Sequence, residues 1–216
     1  MPEERTREDV EFLERVLPSP PARVLDVACG LGRHMTALAA RGYVCVGVEL
    51  DAEISSEARE HGLDVRTLDM RNLHQIEDPF DAVILMWASF GYFDDDTNAA
   101  VLAAMADLLR SRGVLVLDLQ NPAFYASREG TREIRSGVVE TKQVLDGRLY
   151  VEHDYGARFE WRLYEADEVA ALLPSLTLVE VDAPPESPRL RLVFHASPAS
   201  SGASAASPTT RAATVR

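Results

Sequence analysis

The chain is poor in cationic charge. Its 22 Lys and Arg stand against 35 Asp and Glu, a formal net charge of −13. No basic run interrupts that balance. Grip on a nucleic-acid backbone needs clustered Lys and Arg, so no nucleic-acid partner is expected. No apolar run is long enough to cross a bilayer, and no secretory segment opens the chain. No membrane role is expected, and the expected location is cytoplasmic. Cysteine occurs only twice, as Cys29 and Cys45, without the spacing of a metal site. Both read as buried reduced thiols, in preference to a disulfide between neighbouring strands. There is no internal repeat, and no metal is expected.

What remains is a chain of 216 residues, 46% hydrophobic, which suits one domain with a sheet core. Residues 3–17 read as an amphipathic helix with Val10, Leu13, Val16 and Leu17 on one face, stopped by Pro18, Pro20 and Pro21. Strand and helix then alternate. Strands are expected at Arg23 to Ala28, Val44 to Val48, Val65 to Leu68, Asp81 to Met86 and Val114 to Leu119. Helices are expected from Arg33 to Arg41, Glu53 to His61 and Asn98 to Leu109. That order predicts an α/β fold with a doubly wound, mostly parallel sheet. The acids Asp94, Asp95 and Asp96 read as a capped helix start, since three consecutive acids do not converge on one ion.

After Leu119 the period changes to two. Residues 122–164 read as an insertion, with Asp146-Gly147 as a hairpin turn. Leu149, Val151, His153 and Tyr155 share one face of one run; Ala157, Phe159, Trp161 and Leu163 alternate in the next. A small antiparallel sheet is the natural product. Ala166 to Leu173 is a helix, and Leu176 to Val181 and Leu190 to Phe194 are closing strands. The expected domain is residues 1–196. Residues 197–216, rich in Ala, Ser, Thr and Pro, bury too little to repay ordering and read as a disordered tail.

The chemistry starts at Cys29-Gly30-Leu31-Gly32, between a strand and a helix. Glycines there let a cofactor approach the backbone. Glu49, at the end of the next strand, stands where an acid reaches a ribose with both hydroxyls free. A dinucleotide site wants a third glycine three residues after the second; Met35 occupies that position. The third strand ends on Asp69-Met70, a pair suited to an adenine: carboxylate to the exocyclic amine, thioether side chain over the ring. An adenosine cofactor without a pyrophosphate is S-adenosylmethionine.

The segments LDVACGLGRH, VGVEL, LDMRNL and LMWASFGYF resemble, in order and spacing, the class I S-adenosylmethionine-dependent methyltransferases, from Val24 to Leu119. The resemblance implies a Rossmann-like methyltransferase fold with seven strands, an antiparallel last strand and the insertion as a lid on the acceptor pocket. It implies Gly30 and Gly32 along the methionyl portion, and Asp26 near the ammonium. Glu49 would bind the ribose, and Asp69 and Met70 the adenine. Ala28, Leu50 and Trp87 would be further cofactor contacts. Arg33 and His34 are read as helpers toward the carboxylate, with a solvated surface position equally open for His34.

The stretch Ser89-Phe90-Gly91-Tyr92 is similar to that of small-molecule methyltransferases, among them amino-sugar N-methyltransferases. Some of those carry His at the position of Tyr92, where a His could take a proton and a phenol mainly orients an acceptor. Tyr92 and His153 are therefore the candidate catalytic residues. The partner implied is a small-molecule acceptor methylated on N or O. Relatives usually carry a further helix ahead of residues 3–17. The cap over the cofactor is then open to three readings: a more exposed site, the insertion, or the partner in a homodimer. A cofactor-binding module without catalysis is the rival reading.

Overall fold

The structure, a computed structural model, describes residues 3–135 and 137–198. Helix α1 (Glu3–Val16) sets Val10, Phe12 and Leu13 against the sheet. Four parallel strands follow: β1 (Arg23–Val27), β2 (Val44–Glu49), β3 (Val65–Thr67) and β4 (Phe80–Leu85). Helices α2 (Arg33–Ala39) and α3 (Ala52–Glu60) make the first two crossovers. A 3-10 helix, Met70–Gln75, follows β3. Helix α4 (Asp95–Asp107) leads into β5 (Leu109–Gln120), parallel to β4. Helix α4 begins at Asp95 rather than Asn98, because Asp94 accepts the backbone N–H of Thr97 at 2.7 Å and so caps it earlier.

The insertion contains α5 (Pro122–Ala126) and four strands, β6 (Gly130–Arg135), β7 (Val138–Leu145), β8 (Arg148–His153) and β9 (Arg158–Arg162). They form a separate antiparallel sheet in chain order. Asp146 (φ 49°) and Gly147 (φ 72°) make the β7–β8 turn, as their sequence predicts. Helix α5 and strand β6 were not legible: the first is one turn long, and the second is charged on both faces. Tyr155 belongs to the β8–β9 turn and is exposed, not to the strand face with His153.

Helix α6 (Ala166–Leu172), β10 (Leu176–Asp182) and β11 (Arg189–Ala196) complete the main sheet. Its order is β10-β11-β5-β4-β1-β2-β3, with β11 antiparallel to both neighbours. The expected tail beyond 196 lies, from residue 199 on, outside the described residues. Period-two alternation sorts the central side chains. Leu25, Val27, Val83 and Leu85 pack with α4 and α6. Val24, Ala82 and Ile84 pack with α1 and α2 on the other face. Asp26 shares the parity of Val24 and so emerges on the α1–α2 side. The direction of winding reverses between β1 and β4, which opens a crevice at their carboxyl ends.

Candidate functional site

The loops at that crevice enclose three adjoining cavities. The first, about 840 Å³, runs under α1 and along Asp26, Ala28, Gly30 and Trp87. The second, about 440 Å³, is bounded by Glu49, Leu50, Asp69, Met70, Tyr92 and Phe93 and shares Ala28 and Gly30 with the first. The third, about 420 Å³, lies between the main sheet and the insertion, and shares Trp87 with the first and Tyr92 with the second.

The turn after β1 is built on left-handed backbone at Ala28 (φ 58°) and Gly30 (φ 57°). A Cβ at Gly30 would meet nothing within 4 Å, so this glycine opens onto the cavity. Glu49 holds the turn from across the sheet: Oε2 accepts Gly30 N–H at 2.9 Å, and Oε1 accepts Asp51 N–H at 2.9 Å. Gly32 does something else. It does not line these cavities, and a Cβ there would overlap Leu63. Met35, in the place of a third glycine, is 1% exposed. Room for its sulfur comes from Gly47 on β2, where a Cβ would sit 2.7 Å from Met35 Sδ and 2.6 Å from Cys29 Sγ. Both cysteines are free thiols, Cys29 buried and Cys45 half-buried.

Asp26 is 2% exposed, and among the described residues its Oδ2 has no hydrogen-bond partner. Burial pushes its carboxyl up to about 6, against the pull of His34 and Arg33, and Glu49 adds to the rise. Asp69 caps the 3-10 helix through Arg71 N–H at 2.9 Å and pairs with the Arg71 guanidinium at 2.5 Å. That pair, more than the partial burial that opposes it, holds the Asp69 carboxyl below its ordinary value. Beside it the cavity wall is apolar: Met70 is half-buried and Leu50 is 65% exposed.

Over the first cavity α1 is fastened by Asp9, which is 2% exposed. Its Oδ2 accepts from Trp87 Nε1 at 2.5 Å and Arg33 at 3.1 Å, and lies 3.2 Å from His34 Nε2. Oδ1 accepts from Arg191 at 2.6 Å. Burial alone would raise this carboxyl; the His34 hydrogen bond and the charges of Arg189, His34 and Arg191 outweigh it and hold it low. His34 is 4% exposed, with Nε2 turned to Asp9, and so does not occupy the solvated surface position that the sequence left open. Guanidinium groups of Arg33 and Arg189 lie 4.6 and 4.5 Å from the centre of a Trp87 ring.

Trp87 (φ 64°) and Ala88 (φ 57°) are consecutive left-handed residues at the end of β4. Asp118 stabilises this bend: its Oδ2 accepts Trp87 N–H at 3.3 Å, and its carbonyl accepts Ala88 N–H at 2.8 Å. Asp118 is itself fully buried and ion-paired with Arg189. Gly91 (φ 90°) then docks on the insertion: its carbonyl accepts Arg162 N–H at 2.8 Å, and a Cβ there would overlap the Arg162 carbonyl. This brings Tyr92, 49% exposed, to the wall between the second and third cavities, 6.3 Å from Trp161.

Strand register builds the opposite wall. Glu140 pairs with His153 across β7–β8; Val151 pairs with Phe159 and Leu149 with Trp161 across β8–β9. Paired residues share a face, so these side chains meet Tyr92 and Arg189 around the third cavity. His153 Nδ1 is 2.7 Å from Tyr155 Oη, and Nε2 is 3.5 Å from Glu140. Lys142 and Arg132 hold the Glu140 carboxyl below its usual value despite its burial.

Sequence reasoning missed Asp9, Asp118, Glu140, Arg189 and Arg191. Signals existed. Asp9 stands one turn before Leu13 on the apolar stripe, and Asp118 interrupts an apolar run. Arg189 and Arg191 alternate with the buried Leu190 and Leu192.

The site fits S-adenosylmethionine on its own features. Asp26 offers an orphaned carboxylate oxygen to an ammonium. Gly30 leaves room for close approach. Glu49 has lone pairs to spare for hydroxyls, and Leu50 and Met70 offer apolar surface for a base.

A methyltransferase domain model matches residues 24–113. A ubiquinone biosynthesis O-methyltransferase of Xylella fastidiosa (strain 9a5c) is 33% identical over 119 residues, 52% of this chain and 47% of that protein. A dTDP-3-amino-3,4,6-trideoxy-alpha-D-glucopyranose N,N-dimethyltransferase of Streptomyces venezuelae is 33% identical over 115 residues, 51% of this chain and 47% of that protein. The chain thus spans about half the length of the curated relatives it matches. In fold it is similar to the CcbJ methyltransferase of Streptomyces caelestis, with TM-score 0.73 and 19% identity over 89% of each chain. The domain match, the ordered motifs and the seven-stranded sheet make this chain similar, over its N-terminal half, to class I S-adenosylmethionine-dependent methyltransferases.

Proposed function

We propose that this protein transfers a methyl group from S-adenosylmethionine to N or O of a small-molecule acceptor by in-line displacement. One observation carries the reading: the orphaned Asp26 carboxylate, the open Gly30 turn and Glu49 line continuous cavities that meet the insertion pocket at Trp87 and Tyr92. When bound, the cofactor supplies an electrophilic methyl on a sulfonium, a good leaving group. The chain's own task is to position the acceptor and exclude water.

In this reading Asp26 accepts from the cofactor ammonium, and the Ala28 and Gly30 backbone lies along the methionyl portion. Glu49 accepts from the ribose hydroxyls while it keeps the turn closed. Asp69 accepts from the adenine amine, and Leu50 and Met70 cover the ring. Gly32 contributes by letting α2 start close to Leu63, and Trp87 by closing the far end under Asp9. Tyr92 orients the acceptor through its hydroxyl. His153, held between Tyr155 Oη at Nδ1 and Glu140 at Nε2, would take a proton from the acceptor, and Glu140 would compensate the imidazolium. The insertion forms the acceptor lid. A small-molecule acceptor accords with the net charge of −13, and a cytoplasmic setting with two free thiols. Mass spectrometry of candidate amines and phenols, incubated with the chain and S-adenosylmethionine, tests this. The gain of one methyl group supports it; cofactor binding with no transfer to any acceptor would leave a binding module.

A further inference from the structure

The 22 basic side chains of this protein are 21 arginines and a single lysine, Lys142. That lysine is largely buried: its side chain is 14% exposed and lines the 420 Å³ cavity between the main sheet and the insertion. Register puts it there. Lys142 pairs with Val151, and Val151 with Phe159, so one row across three strands presents an ammonium beside an aliphatic and an aromatic side chain.

The ammonium is not consumed by its partner. Lys142 Nζ is 3.1 Å from Glu140 Oε1, and the same oxygen is 3.2 Å from Arg132 Nη2. Glu140 is therefore doubly compensated, and it needs at most one of the three Lys142 protons. The other charges behind this wall follow the same pattern. Asp9 and Asp118 are shared among Arg33, Arg189 and Arg191. Five cations thus surround three carboxylates, in a chain whose net charge is −13. A low-dielectric cleft focuses such a local excess. A further donor lies on the same sheet face: Trp161 Nε1 is buried and, among the described residues, has no hydrogen-bond partner. A buried N–H without an acceptor is costly unless a ligand supplies one.

We propose that Lys142 docks a carboxylate of the acceptor, with the acceptor ring laid against Phe159 and Trp161 and the Trp161 N–H donated to an oxygen of the same molecule. Phe159 and Trp161, with ring centroids 5.7 Å apart and planes 19° from parallel, both line this cavity and offer it aromatic surface. Lysine suits this task better than arginine, because its compact ammonium can serve Glu140 and a ligand oxygen from one point. The assignment rests on the third cavity being the acceptor pocket.

Calorimetric titration of the S-adenosylhomocysteine-saturated protein with benzoate, benzamide and benzylamine tests it. Benzoate is expected to bind at least tenfold tighter than benzamide. Lys142→Gln should abolish that preference, and Lys142→Arg should restore most of it. S-adenosylhomocysteine affinity should be the same in all three proteins, which also shows that the variants fold. Tighter binding of benzylamine than of benzoate would assign the recognition to Glu140 and overturn the proposal. So would a benzoate preference that survives in Lys142→Gln, or no binding of any probe by the saturated protein. Failure to bind S-adenosylhomocysteine at all would instead contradict the methyltransferase reading.

Discussion

Glu49 reaches back over 19 residues to accept the Gly30 amide at 2.9 Å, so the acid that closes β2 also holds the glycine turn that follows β1. Neither residue acts alone. The turn keeps its left-handed backbone because its N–H groups have fixed acceptors: Gly30 on Glu49, and Cys29 on the carbonyl of Val48 at 3.0 Å. A cofactor ribose bound by Glu49 would therefore sit on a preformed cradle.

Glu49→Ala should weaken S-adenosylhomocysteine binding by about 1–3 kcal/mol, through loss of hydrogen bonds to a charged acceptor. It should also lower stability by about 1 kcal/mol, because Gly30 and Asp51 lose their partner. Calorimetry and a urea melt measure the two effects separately. Unchanged affinity would mean that the ribose is held elsewhere.

Asp26→Asn should move stability and binding in opposite directions. The folded carboxyl is raised to about 6 from 3.8, chiefly by burial. The unfolded chain therefore gives up this proton more readily. Stability from the group is fully present below the unfolded value, and it is lost as pH rises through about 6. At pH 8 the ionised form costs on the order of 2–3 kcal/mol, so the amide variant without ligand should melt higher than wild type. The same variant should bind S-adenosylhomocysteine at least tenfold more weakly. In the wild type, affinity should fall as pH drops below about 6, where Asp26 takes up its proton. Thermal scans from pH 5 to 8, with and without ligand, check each sign.

Asp9→Ala should be severe. It leaves Arg33, Arg191 and Trp87 Nε1 without their buried acceptor. Breaking one side of such a buried charge cluster costs about 3–5 kcal/mol. Hydrogen exchange should then show α1 opening ahead of β1 and β4. Full retention of stability would show that α1 is held by Val10 and Leu13 alone.

Gly91→Ala should separate the acceptor side from the cofactor side. The added Cβ meets the Arg162 carbonyl and forces a side chain into left-handed backbone. Loss of about 1–3 kcal/mol in stability is expected. Methyl transfer should fall much more than S-adenosylhomocysteine affinity, because Gly91 joins the β4 loop to β9, away from Asp26 and Glu49. Equal losses in both would contradict that division.

Much of this architecture was legible in the sequence, because its signals are local. Apolar runs such as 82–86 mark central strands, Asp146-Gly147 marks a hairpin, and the spacing of Gly30 and Glu49 marks adjacent strands. Boundaries shifted where a cap decided them, as at Asp94. What stayed hidden depends on contacts far apart in the chain. Asp9 meets Arg191 across 182 residues, and Trp87 meets Asp9 across 78. Glu140 reads as one more surface acid until strand register places it beside His153. Gly32 and Gly47 each carry a packing role that their motifs do not announce: the first lets α2 start close to Leu63, and the second makes room for Met35.

This crevice is expected to bind a sulfonium nucleoside and not a dinucleotide. Titration of the folded, monodisperse chain with S-adenosylhomocysteine and, separately, with NAD tests it most directly. Saturable one-to-one binding of S-adenosylhomocysteine and no measurable heat with NAD are expected. Silence with S-adenosylhomocysteine, or tighter binding of NAD, would contradict it.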